Sequence, residues 1–174
     1  RRSSDLCAED KIKAIDDLHI VPIAVSYEWE PCDVLKTLEL YESQFSKYTK
    51  KPGEDLNSIL TGIVQEKGRV HFELCEPLSY AELSKFDGLT NNDYHKQVAR
   101  LIDRRIRAAY RLYPNNYIAY DLRYGTTKYK HCYTVAEKEA FLKRLQTLEQ
   151  YDTCDVDKLK DIFLGIYSNP VNNK

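Results

Sequence analysis

Two carboxylates flank the only tryptophan of the chain. Glu28 and Glu30 stand on either side of Trp29, after an apolar, β-branched run that predicts a buried strand over residues 20–27. Side chains at positions i and i+2 point the same way along an extended chain, so the two carboxylates can serve as a general acid and a general base. The alternative is a solvated strand end that leads into a helix beginning near Pro31. We favour the alternative, because no histidine or nucleophile lies nearby in the sequence.

Four arginines form a second candidate site, on a long helix predicted over residues 92–113. They are Arg100, Arg104, Arg107 and Arg111. This spacing places them in one narrow arginine stripe. The opposite face of the helix is apolar and is expected in the core; it consists of Val98, Leu101, Ile102, Ala109 and Leu112. An arginine stripe can bind anionic lipid headgroups or the phosphates of a substrate. The alternative, and the commoner arrangement, is a solvated face whose charges are paired with Asp93 and Asp103.

Other chemistry has little support from the residue types. The four histidines stand at no ligand spacing, so we expect no metal and no cofactor. The glycines are isolated, which argues against a glycine-rich phosphate loop, and no nucleophile elbow of the G-x-S-x-G type occurs. The five cysteines are widely spaced without a C-x-x-C pair, which is typical of free thiols in a reducing compartment. Tyrosine is abundant, with 14 residues.

Composition limits the classes of partner. The net charge is −1 with 30% charged residues, so the total charge does not indicate a nucleic-acid ligand. No apolar run approaches the roughly 20 residues of a membrane span, and no signal-peptide pattern stands at the start. We therefore expect a cytoplasmic protein without nucleic acid as a partner. Methionine is absent even at position 1, from which we expect a fragment or a processed product of a longer protein.

The elements that would position these residues have the spacing of an α/β fold. Helices are predicted over residues 5–18, 33–43 and 54–65, and strands over residues 20–27 and 69–75. About forty residues of helix separate the two strands, so we expect a crossover connection and a parallel pair. The predicted fold class is thus α/β, with a partial parallel sheet of two to three strands and crossover helices.

The helix predicted over residues 54–65 has an apolar stripe that is expected to face inward. The stripe consists of Leu56, Ile59, Leu60 and Ile63. Beyond residue 78 the spacing predicts helices over residues 79–86, 92–113, 115–122, 134–150 and 156–168, the fourth opened by a capping box of Thr134 and Glu137. We therefore divide the chain into an α/β region over residues 1–86 and a helical extension over residues 87–174.

Two blocks of the α/β region are similar to a known family. The first is His-Ile-Val-Pro-Ile-Ala-Val-Ser-Tyr-Glu-Trp-Glu-Pro-Cys-Asp over residues 19–33, and the second is Thr-Gly-Ile-Val-Gln-Glu-Lys-Gly-Arg-Val-His-Phe-Glu-Leu-Cys-Glu-Pro-Leu over residues 61–78. In this order they resemble the C-terminal half of the glycerolipid acyltransferases, the 1-acylglycerol-3-phosphate acyltransferase superfamily, and its bacterial members above all. There an Ile-Val-Pro strand is followed by a later strand that runs into Glu-Pro. Residues 111–121 fit the helical extensions of such bacterial proteins.

The resemblance implies an acyltransferase whose catalytic motif is not in this chain. The family uses H-x-x-x-x-D, in which the histidine is the general base and the aspartate orients it. The fifth residues after the four histidines here are Ala24, Glu76, Arg100 and Ala136. The family's Glu-Gly-Thr-Arg phosphate-binding block is missing too.

Of the family's motif positions, Val21, Pro22 and Ile23 carry over, as part of a pocket wall for the acyl chain or the acceptor. Core packing is the alternative for these three residues. Glu28 and Glu30 join them as candidate substrate-pocket residues, and no catalytic residue is assigned.

The expected function is the C-terminal portion of a phospholipid-biosynthesis acyltransferase, inactive as a separate piece. The resemblance implies that the parent protein transfers an acyl group from acyl-CoA or acyl carrier protein to a lysophospholipid-type hydroxyl. Such a protein would work at the inner face of the membrane as a peripheral protein. The alternative is a non-enzymatic helical module that binds a partner or a membrane surface.

Overall fold

The computed structural model describes the backbone of residues 8–173 and the side chains of residues 11–173, and this part of the chain is mostly helical. The predicted helix start at residues 5–7 lies outside the described residues. The helices are α1 (Ala8–Asp16), α2 (Asp33–Glu42), α3 (Glu54–Val64), α4 (Tyr80–Leu83), α5 (Asn91–Ala109), α6 (Pro114–Tyr124), α7 (Val135–Gln146) and α8 (Val156–Asn172). The strands are β1 (Ile23–Tyr27) and β2 (Val70–Leu74), and single 3₁₀ turns cover Ser84–Phe86, Lys130–Cys132 and Thr147–Gln150.

The two strands pair with each other in antiparallel orientation, so the predicted α/β fold with a parallel sheet is wrong. The Glu28 amide donates to the Arg69 carbonyl at 2.9 Å, and the Cys75 amide donates to the Pro22 carbonyl at 2.9 Å. As the residue numbers rise along β1, the residue numbers of their partners on β2 fall, which is the pattern of an antiparallel pair. The reason is that α2 and α3 return the chain to the end of β1 that it left, whereas a crossover would deliver it to the opposite end.

The chain divides into two compact units, and the division falls inside both strands. Within residues 8–173, the first unit comprises residues 8–25 together with His71–Tyr110, and the second comprises Ser26–Val70 together with residues 111–173. The boundary that the sequence suggested after residue 86 lies within the first unit. The division into an α/β region and a helical extension stays a prediction.

The first unit is built around α5. Its core is formed by apolar residues of α1, α4 and α5 and of the segment that follows β2. The buried members are Ile12, Leu78, Leu83, Tyr94, Val98 and Leu101. Val98 and Leu101 were expected in the core, and the structure confirms this. The helix begins with Thr90, whose hydroxyl accepts from the Asp93 amide as an N-cap.

The second unit packs α2, α6, α7 and α8 around an aromatic core. The buried members are Ile118, Ala119, Phe141, Leu145, Leu148, Leu159, Phe163, Leu164 and Tyr167. The predicted capping box opens α7, because Thr134 accepts from the Glu137 amide at 3.2 Å and the Glu137 carboxylate accepts from the Thr134 amide at 2.7 Å. Helix α8 continues through Pro170 to Asn172, further than the apolar spacing indicated.

Helix α3 is oriented opposite to the prediction. The four positions expected to face inward are all exposed by half or more: Leu56, Ile59, Leu60 and Ile63. The polar side of α3 faces the protein instead, since the Ser58 carbonyl accepts from the Cys32 thiol at 3.2 Å and Gly62 lies beside that sulfur. The prediction of inward aliphatic residues is therefore wrong, because spacing locates a stripe but not the neighbour that covers it.

Among the described residues, none of the helices combines the length and the apolar character that a membrane crossing requires.

Candidate functional site

The strand end that carries the two candidate carboxylates leads directly into a buried ionic network in the second unit. Asp33 is the first residue of α2 and has no exposed surface. Its carboxylate accepts from Arg144 Nε at 3.1 Å and Nη2 at 2.5 Å, and from the Tyr167 hydroxyl at 2.9 Å. A buried carboxylate is stable only when its oxygens are satisfied in this way.

Gln65 holds the turn that precedes Asp33. Its amide oxygen accepts from the Cys32 amide at 3.0 Å, and its amide nitrogen donates to the Glu30 carbonyl at 3.1 Å. Cys32 has a left-handed backbone with φ of 60°, which is uncommon for a residue other than glycine. The two hydrogen bonds from Gln65 fix this unusual turn, and so they fix the position of Asp33.

Tyr167 of α8 connects Asp33 with the backbone of Glu30. Its hydroxyl accepts from the Glu30 amide at 3.0 Å while it donates to Asp33. Burial and the neighbouring Asp33 charge raise the pKa of Tyr167, so it remains a neutral donor throughout the physiological range. The hydrogen bond to Asp33 raises the pKa of Arg144, which keeps the guanidinium charged as the partner of the carboxylate.

Trp29 lies at the edge of an open cleft beside this network. The indole stacks on Phe141 with ring centroids 6.0 Å apart and an interplanar angle of 16°. The cleft has a volume of about 430 Å³ and is lined by Trp29, Gln65, Glu66, Ala140 and Arg144. It offers an aromatic surface and guanidinium donors, without a histidine, cysteine or serine in its lining. These groups can bind a ligand, and the acidic group of the described lining is Glu66.

Glu28 and Glu30 are held by two different cations, which argues against the acid/base pair that their spacing allows. The Glu28 carboxylate accepts from the Arg69 amide at 2.9 Å and from its guanidinium at 2.8 and 3.1 Å. Glu30 pairs with Lys36. The hydrogen bonds from Arg69 lower the pKa of Glu28, which makes it a poor proton acceptor at neutral pH.

Gly68 is required for the Glu28–Arg69 contact. It has φ of +60°, and a Cβ atom placed there would lie 2.6 Å from Glu28 Oε2. A larger residue would therefore displace the carboxylate as well as strain the backbone.

A second cleft of the same unit contains one member of the predicted arginine stripe. It has a volume of about 420 Å³ and is lined by Arg69, Val70, Arg111, Leu112, Tyr113 and Pro114. The Arg111 amide donates to the hydroxyl of the buried Ser26 at 2.9 Å, which ties this segment to β1. We call this the arginine cleft.

The two arginines of the arginine cleft differ in how their charges are compensated. Arg69 lies 2.8 Å from Glu28 and 3.7 Å from Glu137, and its guanidinium is 5.3 Å from the centre of the Tyr113 ring. The Arg111 side chain is exposed, and among the described residues no ion pair includes it. Arg111 therefore supplies an uncompensated positive charge that can attract an anion such as a phosphate.

The remaining arginines of the stripe lie on α5 in the first unit. Arg100, Arg104 and Arg107 are all exposed, and no ion pair within the described part of the chain includes any of them. The helix ends at Ala109, so Arg111 is not part of it. The structure thus brings three of the four arginines onto one helical face and places the fourth in the arginine cleft.

The predicted pocket wall lies in the first unit. Pro22 is buried, whereas Val21 and Ile23 are 42% and 44% exposed. The two exposed residues stand on the outer side of the ribbon, as do Phe72 and Leu74 of β2, which are 61% and 65% exposed. This apolar surface can contact an acyl chain or an apolar partner, whereas Pro22 belongs to the packed interior.

Sequence reasoning missed Asp33, Arg144, Tyr167 and Arg69 as members of a site. Asp33 had one available signal, its position in the first turn of a helix directly after the strand end. Arg144 and Tyr167 had none, because they meet Asp33 across 111 and 134 residues of chain. Within the described residues, histidine, cysteine and acidic side chains form no group of three that could hold a metal ion.

No family model matches the chain, and no curated protein and no solved structure shows significant similarity to it.

Proposed function

We propose that this chain is the C-terminal portion of a phospholipid-biosynthesis acyltransferase. In this proposal the parent protein transfers an acyl group from acyl-CoA or acyl carrier protein to a lysophospholipid-type hydroxyl. The observation that carries the proposal is the pairing of the two family-like blocks. Pro22 of the Val-Pro block accepts a hydrogen bond from Cys75, which directly precedes the Glu-Pro pair. Two blocks that lie about fifty residues apart in sequence are thus neighbours in one ribbon.

The apolar outer side of the ribbon supports a role in contacting lipid. Val21 and Ile23 stand beside Phe72 and Leu74, and each is more than one-third exposed. Contiguous exposed apolar side chains of this kind typically mark a binding surface. In an acyltransferase this surface would receive the acyl chain, or the part of the acyltransferase domain that binds it.

The arginine cleft supports a role for the second unit in holding a phosphate. Arg111 supplies the uncompensated charge, and Arg69 and Tyr113 form the adjacent wall. Lysophosphatidic acid and coenzyme A both carry phosphates, which guanidinium groups bind well. Arg100, Arg104 and Arg107 of α5 would hold the protein at the anionic inner face of the membrane as a peripheral protein.

The chain as it stands is expected to lack acyl transfer activity. A positioned general base contributes about 10² to 10⁴-fold to such a reaction, and the four histidines are not followed by the aspartate of the family motif. Purified protein incubated with acyl-CoA and lysophosphatidic acid should show no turnover. Turnover that Glu28→Gln or Glu30→Gln abolishes would contradict the proposal and would restore the carboxylate pair as the catalytic group.

The decisive experiment uses the product of the complete reading frame. We expect it to transfer acyl groups to lysophosphatidic acid, and we expect Ile23→Asp to reduce kcat/KM at least ten-fold by placing a charge on the apolar surface. Arg111→Gln should raise the KM for the acceptor with little effect on kcat, and Lys130→Gln, also in the second unit, is the matched control. The proposal fails if the complete product lacks transfer with both acyl-CoA and acyl carrier protein as donors.

A second candidate function is a non-enzymatic interaction module, and the exposed stripe of α3 favours it. Besides the four residues already named, Val64 of this helix is 78% exposed. A helix that buries its polar side and exposes its aliphatic side has the arrangement of a helix that docks on a partner. A complete product that shows no acyl transfer, and that loses a bound partner in Ile63→Glu but keeps it in Lys130→Gln, would favour this function.

A further inference from the structure

A cluster of tyrosines in the second unit lies apart from both clefts. Tyr120 belongs to α6, and Tyr129 lies in the loop that follows this helix. Their ring centroids are 5.0 Å apart and the rings are nearly perpendicular, at 86°. Tyr117 is 5.1 Å from Tyr129, and Tyr124 is 4.6 Å from Tyr120, so each wall is backed by another aromatic ring. We call the two perpendicular rings the tyrosine corner.

The tyrosine corner already holds a cation, which is supplied by the chain itself. The Lys128 ammonium lies 4.9 Å from the centre of the Tyr129 ring and 5.5 Å from the centre of the Tyr120 ring. Both distances fall within the range in which a cation is attracted to an aromatic face. The Tyr129 hydroxyl raises the pKa of Lys128, so the ammonium is charged at neutral pH.

The buried Asp121 fixes the loop that forms the corner. Its carboxylate accepts from the Thr126 hydroxyl at 2.8 Å, from the Tyr129 amide at 3.1 and 3.2 Å, and from the Tyr133 hydroxyl at 2.9 Å. Asp121 is only 4% exposed. The backbone that carries Tyr129 is therefore held without any contribution from the Lys128 side chain, and the corner should keep its shape when that side chain leaves.

Lys128 is held by the two rings and the Tyr129 hydroxyl, and a competing cation can displace it. Its side chain is exposed, and none of the ion pairs among residues 8–173 includes it. An ammonium is also strongly hydrated, whereas a quaternary ammonium carries its charge on methyl groups and loses less hydration on contact with aromatic rings. Perpendicular aromatic walls that hold a cation are the arrangement by which proteins recognise choline-type groups.

We propose that the tyrosine corner is a binding site for a quaternary ammonium group, with Lys128 as a built-in competitor. The ligand is choline or a related trimethylammonium compound, either free or as the headgroup of a lipid. The inference rests on the corner alone and is independent of the proposed acyltransferase function.

The test is a titration of the chain with tetramethylammonium chloride at constant ionic strength, followed by the NMR shifts of ¹³C-labelled tyrosine rings. Lys128→Gln should bind two- to five-fold more tightly than wild type, because it removes a competitor held by an exposed cation–π contact. Tyr120→Leu should weaken binding at least five-fold. Tyr48→Leu, which removes a tyrosine of the second unit outside this cluster, should leave the affinity within two-fold.

Two further experiments test whether binding requires the positive charge of the ligand and whether the ligand is free or part of a lipid. The neutral isostere of choline, 3,3-dimethyl-1-butanol, should bind Lys128→Gln at least five-fold more weakly than choline does. Co-sedimentation with phosphatidylcholine but not phosphatidylglycerol vesicles would assign a lipid headgroup, and binding of free choline alone would assign a soluble ligand. Both outcomes support the site.

The proposal is overturned if neither wild type nor Lys128→Gln shows a saturable shift, or if the neutral isostere binds as well as choline. It is also overturned if Lys128→Gln binds no more tightly than wild type. If Lys128→Gln does not fold, the wild-type titration still tests the site, because excess ligand should displace the exposed Lys128 side chain. Thermal midpoints of each variant show whether the corner is still folded.

Discussion

Replacing Arg144 by methionine should destabilise the second unit by about 2–3 kcal/mol. The substitution keeps the aliphatic part of the side chain and removes the partner of the fully buried Asp33. Breaking a buried ion pair from one side costs about 3–5 kcal/mol, because the other charge stays uncompensated. We expect a smaller value, because the Arg144 side chain is 33% exposed and Asp33 keeps its hydrogen bond from Tyr167. Water at the open edge of the cleft then stabilises part of the charge.

The assay is urea denaturation followed by the fluorescence of Trp29. This residue is the only tryptophan, and it stacks on Phe141 in the same unit, so its signal reports the structure around the network. The denaturation midpoint should fall while the dependence of the unfolding free energy on urea stays the same. Lys160→Met is the matched control, because its partner Glu149 is 58% exposed and a surface pair of this kind is worth about 0–1 kcal/mol.

A double-mutant cycle with Asp33→Asn isolates the ion pair from the rest of the network. Residues that share a buried ionic contact show a coupling free energy of about 0.5–3 kcal/mol. Asp33→Asn should destabilise the unit on its own, and Arg144→Met should cost much less in that background than in wild type. The reasoning is refuted if Arg144→Met lies within about 0.5 kcal/mol of wild type, or if the two single effects add.

Three further outcomes follow from other parts of the structure. The pKa of Glu28 is lowered in the folded protein, so its contribution to stability is present above the ordinary value of 4.5 and is lost as pH falls through the folded-state pKa. The urea midpoint of Glu28→Gln should therefore fall less than that of wild type between neutral pH and pH about 3. The double variant Arg104→Gln/Arg107→Gln should bind phosphatidylglycerol vesicles about 2 kcal/mol more weakly than wild type in co-sedimentation at low salt, with an unchanged thermal midpoint. If wild type does not bind, or binds without salt dependence, these arginines form only a solvated face. Ile59→Glu should change the free energy of unfolding by under about 1 kcal/mol, because the side chain is 59% exposed. Leu148→Ala, at a fully buried position, should cost about 2–5 kcal/mol. Equal losses of stability in the two variants would show that the aliphatic face of α3 is buried.

Local sequence signals located most elements but could not set their directions. Cap residues and apolar spacing mark α5 and α7 to within a few residues, because both signals act within one or two helical turns. The direction of β2 against β1 depends on where α2 and α3 return the chain, and no local signal encodes that. The length of the connection suggested a crossover, yet a long connection can equally close an antiparallel pair.

Local sequence signals also could not show whether a side chain is buried, as the stripe of α3 and the network of Asp33 illustrate. Periodicity identifies which residues of α3 share a face, but whether that face is buried depends on residues far along the chain. Asp33 could be placed at the start of a helix from sequence, and a solvated carboxylate would be the ordinary expectation there. Its burial follows from Arg144 and Tyr167, which approach it only in the folded second unit.

The exposed aliphatic residues are the feature that most needs a physical explanation. Fully burying one such side chain is worth about 1.5–3 kcal/mol, and Ile59, Ile63 and Val64 each keep more than half of their surface in water. A stripe of five such residues on one helix therefore represents several kcal/mol of binding free energy that the described residues do not use. An acyl chain, a lipid surface or a protein domain could each use this energy. Ile63→Glu places a charge on this stripe and should weaken binding of whichever of these ligands covers it, whereas a charge at Ile23, on the separate β1–β2 surface, should not.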